Sequence, residues 1–190
     1  MEVSAYKTIE KEAVSSLSFH KEIEVEQHAD LRRQLEQATR LGNGYHSKVS
    51  IYFHDDEVLK LMPILQSAGI RVVVDHCGCP DVMRGVDQPG FQAVLALGRS
   101  GQAAVKLSGA FRYSRLAWPY QDCEPFVQAL IQAYTLENCV WGSDWPFVRL
   151  AQRIDYGPTR QLLERWIPDA AGLQKLLWDS PARWFGFKAT

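Results

Sequence analysis

Four stretches of this chain end an apolar run on a side chain that can do chemistry. "SIYFH" delivers Tyr52 and His54, and "VVVDHCGC" delivers Asp75, His76 and two thiols. "VKLSG" carries Lys106 and Ser108 and leads on to Arg112, while "VWGSD" stops at Asp144, followed at once by Trp145-Pro146. A buried carboxylate is costly unless it is paired or bound to a metal, so an acid in that position usually has a task. A histidine and an aspartate on separate strand ends suit a base with its electrophilic helper, or two ligands of one metal. Plainer readings stand beside these: a histidine that only hydrogen-bonds, and an aspartate that caps the turn after it. Lys106 reads as a reactive amine or, no less, as the partner of a neighbouring acid. Cys77-x-Cys79 has no second Cys/His pair at finger spacing, which points to reduced, unliganded thiols.

The elements that must hold these groups alternate. Leu31, Leu35 and Ala38 recur at helical spacing from His28 to Leu41, and Gly42-Asn43-Gly44 closes that helix. "KVSIYF" reads as a strand on which Ser50, Tyr52 and His54 share a face. Asp55-Asp56-Glu57 places acids where a helix dipole favours them, and Val58, Leu61, Met62 and Leu65 form the buried stripe up to Gly69. "IRVVVDH" has the unbroken apolar character of a strand buried on both faces of a parallel sheet. "AAVKLSG" and "CVWGSD" are further strands, with helices around Phe91–Leu95, Phe126–Tyr134, Leu162–Ile167 and Leu173–Leu177. Ser180 is expected as the N-cap of a final turn with Pro181 behind it. Trp145, Trp166, Trp178 and Trp184 are expected to pack. This rhythm is that of a parallel α/β protein, and its spacing suits a (β/α)₈ barrel, in which ~250 residues supply eight units. Residues 1–25 read as an irregular or partly helical lead-in, and 26–190 as a partial barrel domain.

The totals exclude some classes. A net charge of −1 over 190 residues offers nothing to nucleic acid or an anionic membrane. No apolar run approaches the roughly 20 residues of a membrane span, and the N-terminal stretch lacks the basic start and apolar run of a secretory signal. The cysteines read as reduced thiols, and the cytoplasm is the expected location. No convincing glycine-rich phosphate loop stands at a strand-to-helix turn, which disfavours a nucleotide-binding α/β domain.

"VVVDHCGCPD" resembles the His-x-Gly-x-Pro strand of the amidohydrolase-related (type 2) TIM-barrel hydrolases. "VKLSGAFRYS", Pro119-Tyr120 and "VWGSDWPF" resemble the segments that follow it there, in the same order. The resemblance covers roughly residues 45 to 187 and is nearest to the branch holding 2-pyrone-4,6-dicarboxylate lactonase and related lactone hydrolases. It implies the C-terminal part of a (β/α)₈ barrel, about four to five βα units, with the first strands missing. It implies a hydrolase acting on a lactone, ester or amide of a small carboxylated compound. Asp144 would be the general base, His76 would polarise the scissile carbonyl, Arg112 would grip a substrate carboxylate, and Tyr52 would line the pocket. In metal-dependent relatives a divalent ion, zinc or manganese, would be held by Asp144 and His76. The chain departs from the pattern in two places. Its five histidines, His20, His28, His46, His54 and His76, include no His-x-His pair, and Phe147 stands where many relatives have histidine. Half a barrel also leaves strand edges unpaired, so a homo-oligomer or a complementing N-terminal chain is expected. The alternative is a non-catalytic remnant or subunit.

Overall fold

A computed structural model describes residues 16–19, 48–67 and 71–187. Five parallel strands form one sheet in the order β1-β2-β3-β4-β5. They are β1 (Ser16–Phe19), β2 (Lys48–Ile51), β3 (Arg71–Val74), β4 (Ala103–Lys106) and β5 (Cys139–Val140). Parallel neighbours need a crossover between them, and helices supply it. After β2 comes α1 (Glu57–Ser67), after β3 comes α2 (Pro89–Arg99), and after β4 come α3 (Ala110–Tyr113) and α4 (Glu124–Tyr134). α5 (Tyr156–Trp166), α6 (Ala170–Gln174) and α7 (Ser180–Phe185) follow β5. This is the βα alternation of a partial (β/α)₈ barrel.

Strand alternation divides the sheet into two faces. Val72 and Val74 of β3 and Ala103 and Val105 of β4 pack with Leu61, Phe91, Val94, Leu130 and Leu163 in the main core, beneath the helices. Val73, Ala104 and Val140 point the other way and pack against Trp184 of α7. Each valine, leucine or phenylalanine among them stabilises by about 1.5–3 kcal/mol when fully buried, and each alanine methyl by less. The register then sets what comes next along the second face. Val74 is level with Val105, so Asp75 and Lys106 leave the sheet side by side. The apolar layer gives way there to an ionic one. On the helical side Gly98 lets α2 and α4 touch, since a Cβ there would lie 2.3 Å from the Tyr134 ring.

Several expectations meet a different outcome. The strand Ser16–Phe19, paired in parallel with Lys48–Ile51, lies in the segment read as irregular or partly helical. The helix expected over 28–41 lies outside the described residues. Ser180 does not cap: a π-turn, Lys175–Asp179, runs straight from α6 into α7, and the Ser180 hydroxyl donates to the Leu136 carbonyl at 2.6 Å. Trp166 and Trp184 pack as expected, but Trp145 and Trp178 are 74 % and 49 % exposed. Asp56 does more than start α1. Its carboxylate accepts from the Gly90 backbone N–H at the start of α2 and pairs with Arg84, which holds the carboxyl below its usual range. No helix among the described residues is long and apolar enough to cross a membrane.

Candidate active site

The strands deliver their polar groups to one end of the sheet, as parallel α/β folds do. β3 ends at Asp75, and the chain then turns through a 3₁₀ turn, His76–Gly78. His76, Cys77, Gly78 and Cys79 all have positive φ, between 39° and 76°. Left-handed backbone at three residues other than glycine costs roughly 1–2 kcal/mol each. The turn is held by Gly78 N–H to the Asp75 carbonyl and Cys79 N–H to the His76 carbonyl, at 2.8 and 2.9 Å. The result is a histidine re-aimed over the end of the sheet. Asp75 itself is 2 % exposed and pairs with the Lys106 ammonium. Of the two readings of Lys106, the paired one is what the structure contains.

The loop after β4 supplies the next groups. Ser108 Oγ lies 3.0 Å from His76 Nδ1. Gly109, at φ 63°, starts α3, and a Cβ on it would lie 2.8 Å from His76 Nδ1. Only glycine gives both the left-handed backbone and the room. One turn on, the Arg112 N–H bonds the Gly109 carbonyl, which aims the guanidinium back across the strand ends. After β5, Asp144 sits in its own tight turn, with φ 67° and its carbonyl accepting from Phe147 N–H at 2.9 Å.

Three of the four residues to which the family resemblance gives a role converge on one point. Arg112 Nε donates to Asp144 Oδ2, and His76 Nε2 lies 3.5 Å from Asp144 Oδ1. Both side chains of the Arg112–Asp144 pair are 12 % exposed, and His76 is 5 % exposed. A proton on Nε2 suits the facing carboxylate and leaves Nδ1 to accept from the Ser108 hydroxyl. Tyr52 flanks them, its ring 5.6 Å from that of His76 and edge-on to it, with its hydroxyl 2.8 Å from His54 Nε2. Burial pushes the Asp144 carboxyl above the usual carboxylate range, against the pull of the Arg112 guanidinium. Burial likewise raises the Tyr52 phenol, and it pushes the Cys77 thiol up to about 11. Cys77, Cys79, Cys123 and Cys139 are buried free thiols, protonated at neutral pH and without nucleophilic character. The sequence reading placed Ser108 and Gly109 at the end of a strand, which in the structure stops at Lys106; their contact with His76 follows from adjacency of β3 and β4.

Residues 48–187 match the family model for amidohydrolases. The chain belongs to the amidohydrolase family. A 4-sulfomuconolactone hydrolase from Rhizobium radiobacter is 33 % identical over 141 residues, which are 73 % of this chain and 47 % of that protein. A 2-pyrone-4,6-dicarboxylate hydrolase from Comamonas testosteroni is 31 % identical over 153 residues, 74 % of this chain and 48 % of that one. A solved structure from Pseudomonas putida, described as a 2-pyrone-4,6-dicarboxylic acid hydrolase, superposes with a TM-score of 0.69 at 27 % identity. That superposition covers 92 % of this chain and 72 % of the other. The chain thus spans about half the length of the curated relatives it matches. It is similar to amidohydrolases of the lactone-hydrolase branch.

The described residues of this candidate site do not offer a divalent ion a good seat. No group of three or more His, Cys, Asp or Glu side chains gathers there. The donors expected for it, Asp144 and His76, face each other, and the Asp144 carboxylate is already neutralised by Arg112. Lys106 on the neighbouring strand end is likewise neutralised, by Asp75.

Proposed function

We propose that this chain carries the acid–base half of a hydrolase acting on the lactone, or a related ester or amide, of a small carboxylated compound. The observation that carries the reading is the meeting of Asp144, His76 and Arg112 at the C-terminal strand ends. Membership of a family whose similar members are named as lactone hydrolases supports it. Asp144, as carboxylate, takes a proton from water while the water oxygen bonds to the carbonyl carbon. His76 donates a hydrogen bond from Nε2 to the carbonyl oxygen as negative charge develops on it. When the ring C–O bond breaks, the leaving oxygen takes the proton back from Asp144, and a hydroxyl or enol and a carboxylic acid form; the acid then gives its remaining proton to solvent as the product leaves. Arg112 holds a substrate carboxylate through its planar fork, and Tyr52 closes one side of the pocket. A carboxylate pushed above its usual range by burial is a stronger base than a solvated one.

The reading includes a second contact surface. The described strands form an open sheet, and Trp145 and Val148 are exposed beside the Asp144 turn, at 74 % and 58 %. A second copy of the chain, or a complementing N-terminal chain, would cover them. The alternative reading is a truncated, non-catalytic remnant or subunit that needs an N-terminal partner chain. A screen of lactones with and without a free carboxylate tests the proposal, run beside size-exclusion chromatography with light scattering. Hydrolysis by a discrete assembly supports it. An inert chain across all lactones, in every assembly state, contradicts it.

A further inference from the structure

The base and the carboxylate grip of this site are bonded to each other. Arg112 Nε donates to Asp144 Oδ2, and the pair is seven-eighths buried, at 12 % exposure for each side chain. The remaining guanidinium donors have poor partners. Nη1 and Nη2 both reach the same Val148 carbonyl, at 3.5 and 3.4 Å, lengths at which a hydrogen bond is weak. The face of the guanidinium lies 5.6 Å from the Phe111 ring. An arginine with its strong bond on one oxygen and two underused N–H groups is poised for a better acceptor. A substrate carboxylate is one, since it takes two parallel N–H groups at once. A carboxylate in contact with a guanidinium, in turn, is a weaker proton acceptor than the same buried carboxylate without that contact, because the cation stabilises its charged form.

We propose that the Arg112–Asp144 pair is a latch that the substrate opens: an incoming carboxylate takes Arg112 away from Asp144, and the aspartate is released as a base only in the complex. The inference rests on the roles given to these two residues above and adds a specificity rule to them. The substrate carboxylate acts on turnover as well as on affinity, because a neutral lactone leaves the base latched. The exchange on Arg112 is one anion for another, and it leaves the Asp144 carboxylate without its cation, which favours its taking a proton.

Binding tests this without any need for turnover. Pyridine-2,4-dicarboxylate, a planar dicarboxylate with no bond to hydrolyse, is titrated by calorimetry into the wild-type chain, Asp144→Asn, Arg112→Met and the double variant. A latch must be broken for the ligand to bind, so Asp144→Asn tightens binding by about tenfold, the scale of a coupled charged pair. In the Arg112→Met background the same substitution changes binding by less than twofold. Equal tightening in both backgrounds overturns the latch, because it means simple repulsion between Asp144 and the ligand. No tightening, or no binding to Asp144→Asn, overturns it as well. Circular dichroism of each variant accompanies the titration, with Arg112→Gln as the replacement where Arg112→Met does not fold. Failure of the hydrolase reading shows separately, as inertness toward every lactone.

Discussion

Arg112 and Asp144, 32 residues apart in the chain, close the candidate site as an ion pair in which Nε donates to Oδ2. Neither residue could hold its position alone. Arg112 is aimed by a four-residue helix that starts on Gly109, and Asp144 by a tight turn closed through Phe147. The pair ties the end of β4 to the end of β5, where the sheet has only the two residues Cys139–Val140 to join them. Removal of the guanidinium should separate its two roles. Arg112→Ala is expected to lower kcat/KM for a carboxylated lactone by about tenfold to a hundredfold, the worth of a charged hydrogen bond. The methyl ester of the same lactone should lose nothing. Steady-state kinetics on the two substrates checks this, and equal loss on both counts against a carboxylate grip.

Gly109 is the second test. A Cβ there meets His76 Nδ1 at 2.8 Å, and φ is 63°. Gly109→Ala therefore costs about 1–2 kcal/mol in backbone strain and displaces the histidine from Ser108. Chemical denaturation should show the loss of stability, and the His76 ring signals in an NMR spectrum should move. An unchanged His76 environment would mean that the ring is held by other contacts.

Lys106 and Asp75 form the third. The Asp75 side chain is 1 % exposed and Lys106 26 %, so the acid depends on the amine far more than the reverse. Lys106→Met leaves a buried carboxylate without its cation, and the expected loss is about 3 kcal/mol, the lower end for broken buried pairs because water still reaches the amine side. Adding Asp75→Asn should restore most of it. Equilibrium unfolding of the two variants decides, and a neutral Lys106→Met would mean that Asp75 is satisfied by backbone donors.

The pH dependence has a defined sign. Asp144 is raised by burial, so the acid limb of kcat should lie above the roughly pH 4 of an ordinary aspartate. The same shift acts on stability in the direction opposite to acid denaturation. With the folded pKa above the unfolded one, the contribution of Asp144 is fully present below the unfolded pKa and is lost as pH rises through the folded value. The stability of Asp144→Asn should therefore gain on that of the wild type as pH rises through this window. A gap that stays constant from pH 4 to 8 would mean that the carboxyl is not raised.

Much of this was legible before any coordinates. "VVVDH", "AAVKLSG" and "CVWGSD" are apolar enough to be read as buried parallel strands, and polar residues at their ends then had to share one end of the sheet. Tyr52, His76, Arg112 and Asp144 are expected at the site from those strand ends and from the family's motifs, and the structure brings them within reach of one another. What was not legible depends on register and backbone. The pairing of Asp75 with Lys106 needs β3 beside β4 with Val74 level with Val105. The re-aimed His76 comes from a run of left-handed residues that only one glycine, Gly78, hinted at. Strand β1 escaped because "SLSF" alternates over just four residues within a charged segment. The exposure of Trp145 was missed because nothing local distinguishes a packing tryptophan from one that leaves the surface beside a site.

The central claim is that Asp144 activates water. It is tested most directly by lactone hydrolysis with Asp144→Asn, a change that keeps the side chain's shape and removes its basicity. The predicted result is a fall in kcat by about 10²–10⁴, with an unchanged circular dichroism spectrum. Wild-type turnover in that variant would contradict the claim and move the base elsewhere in the site.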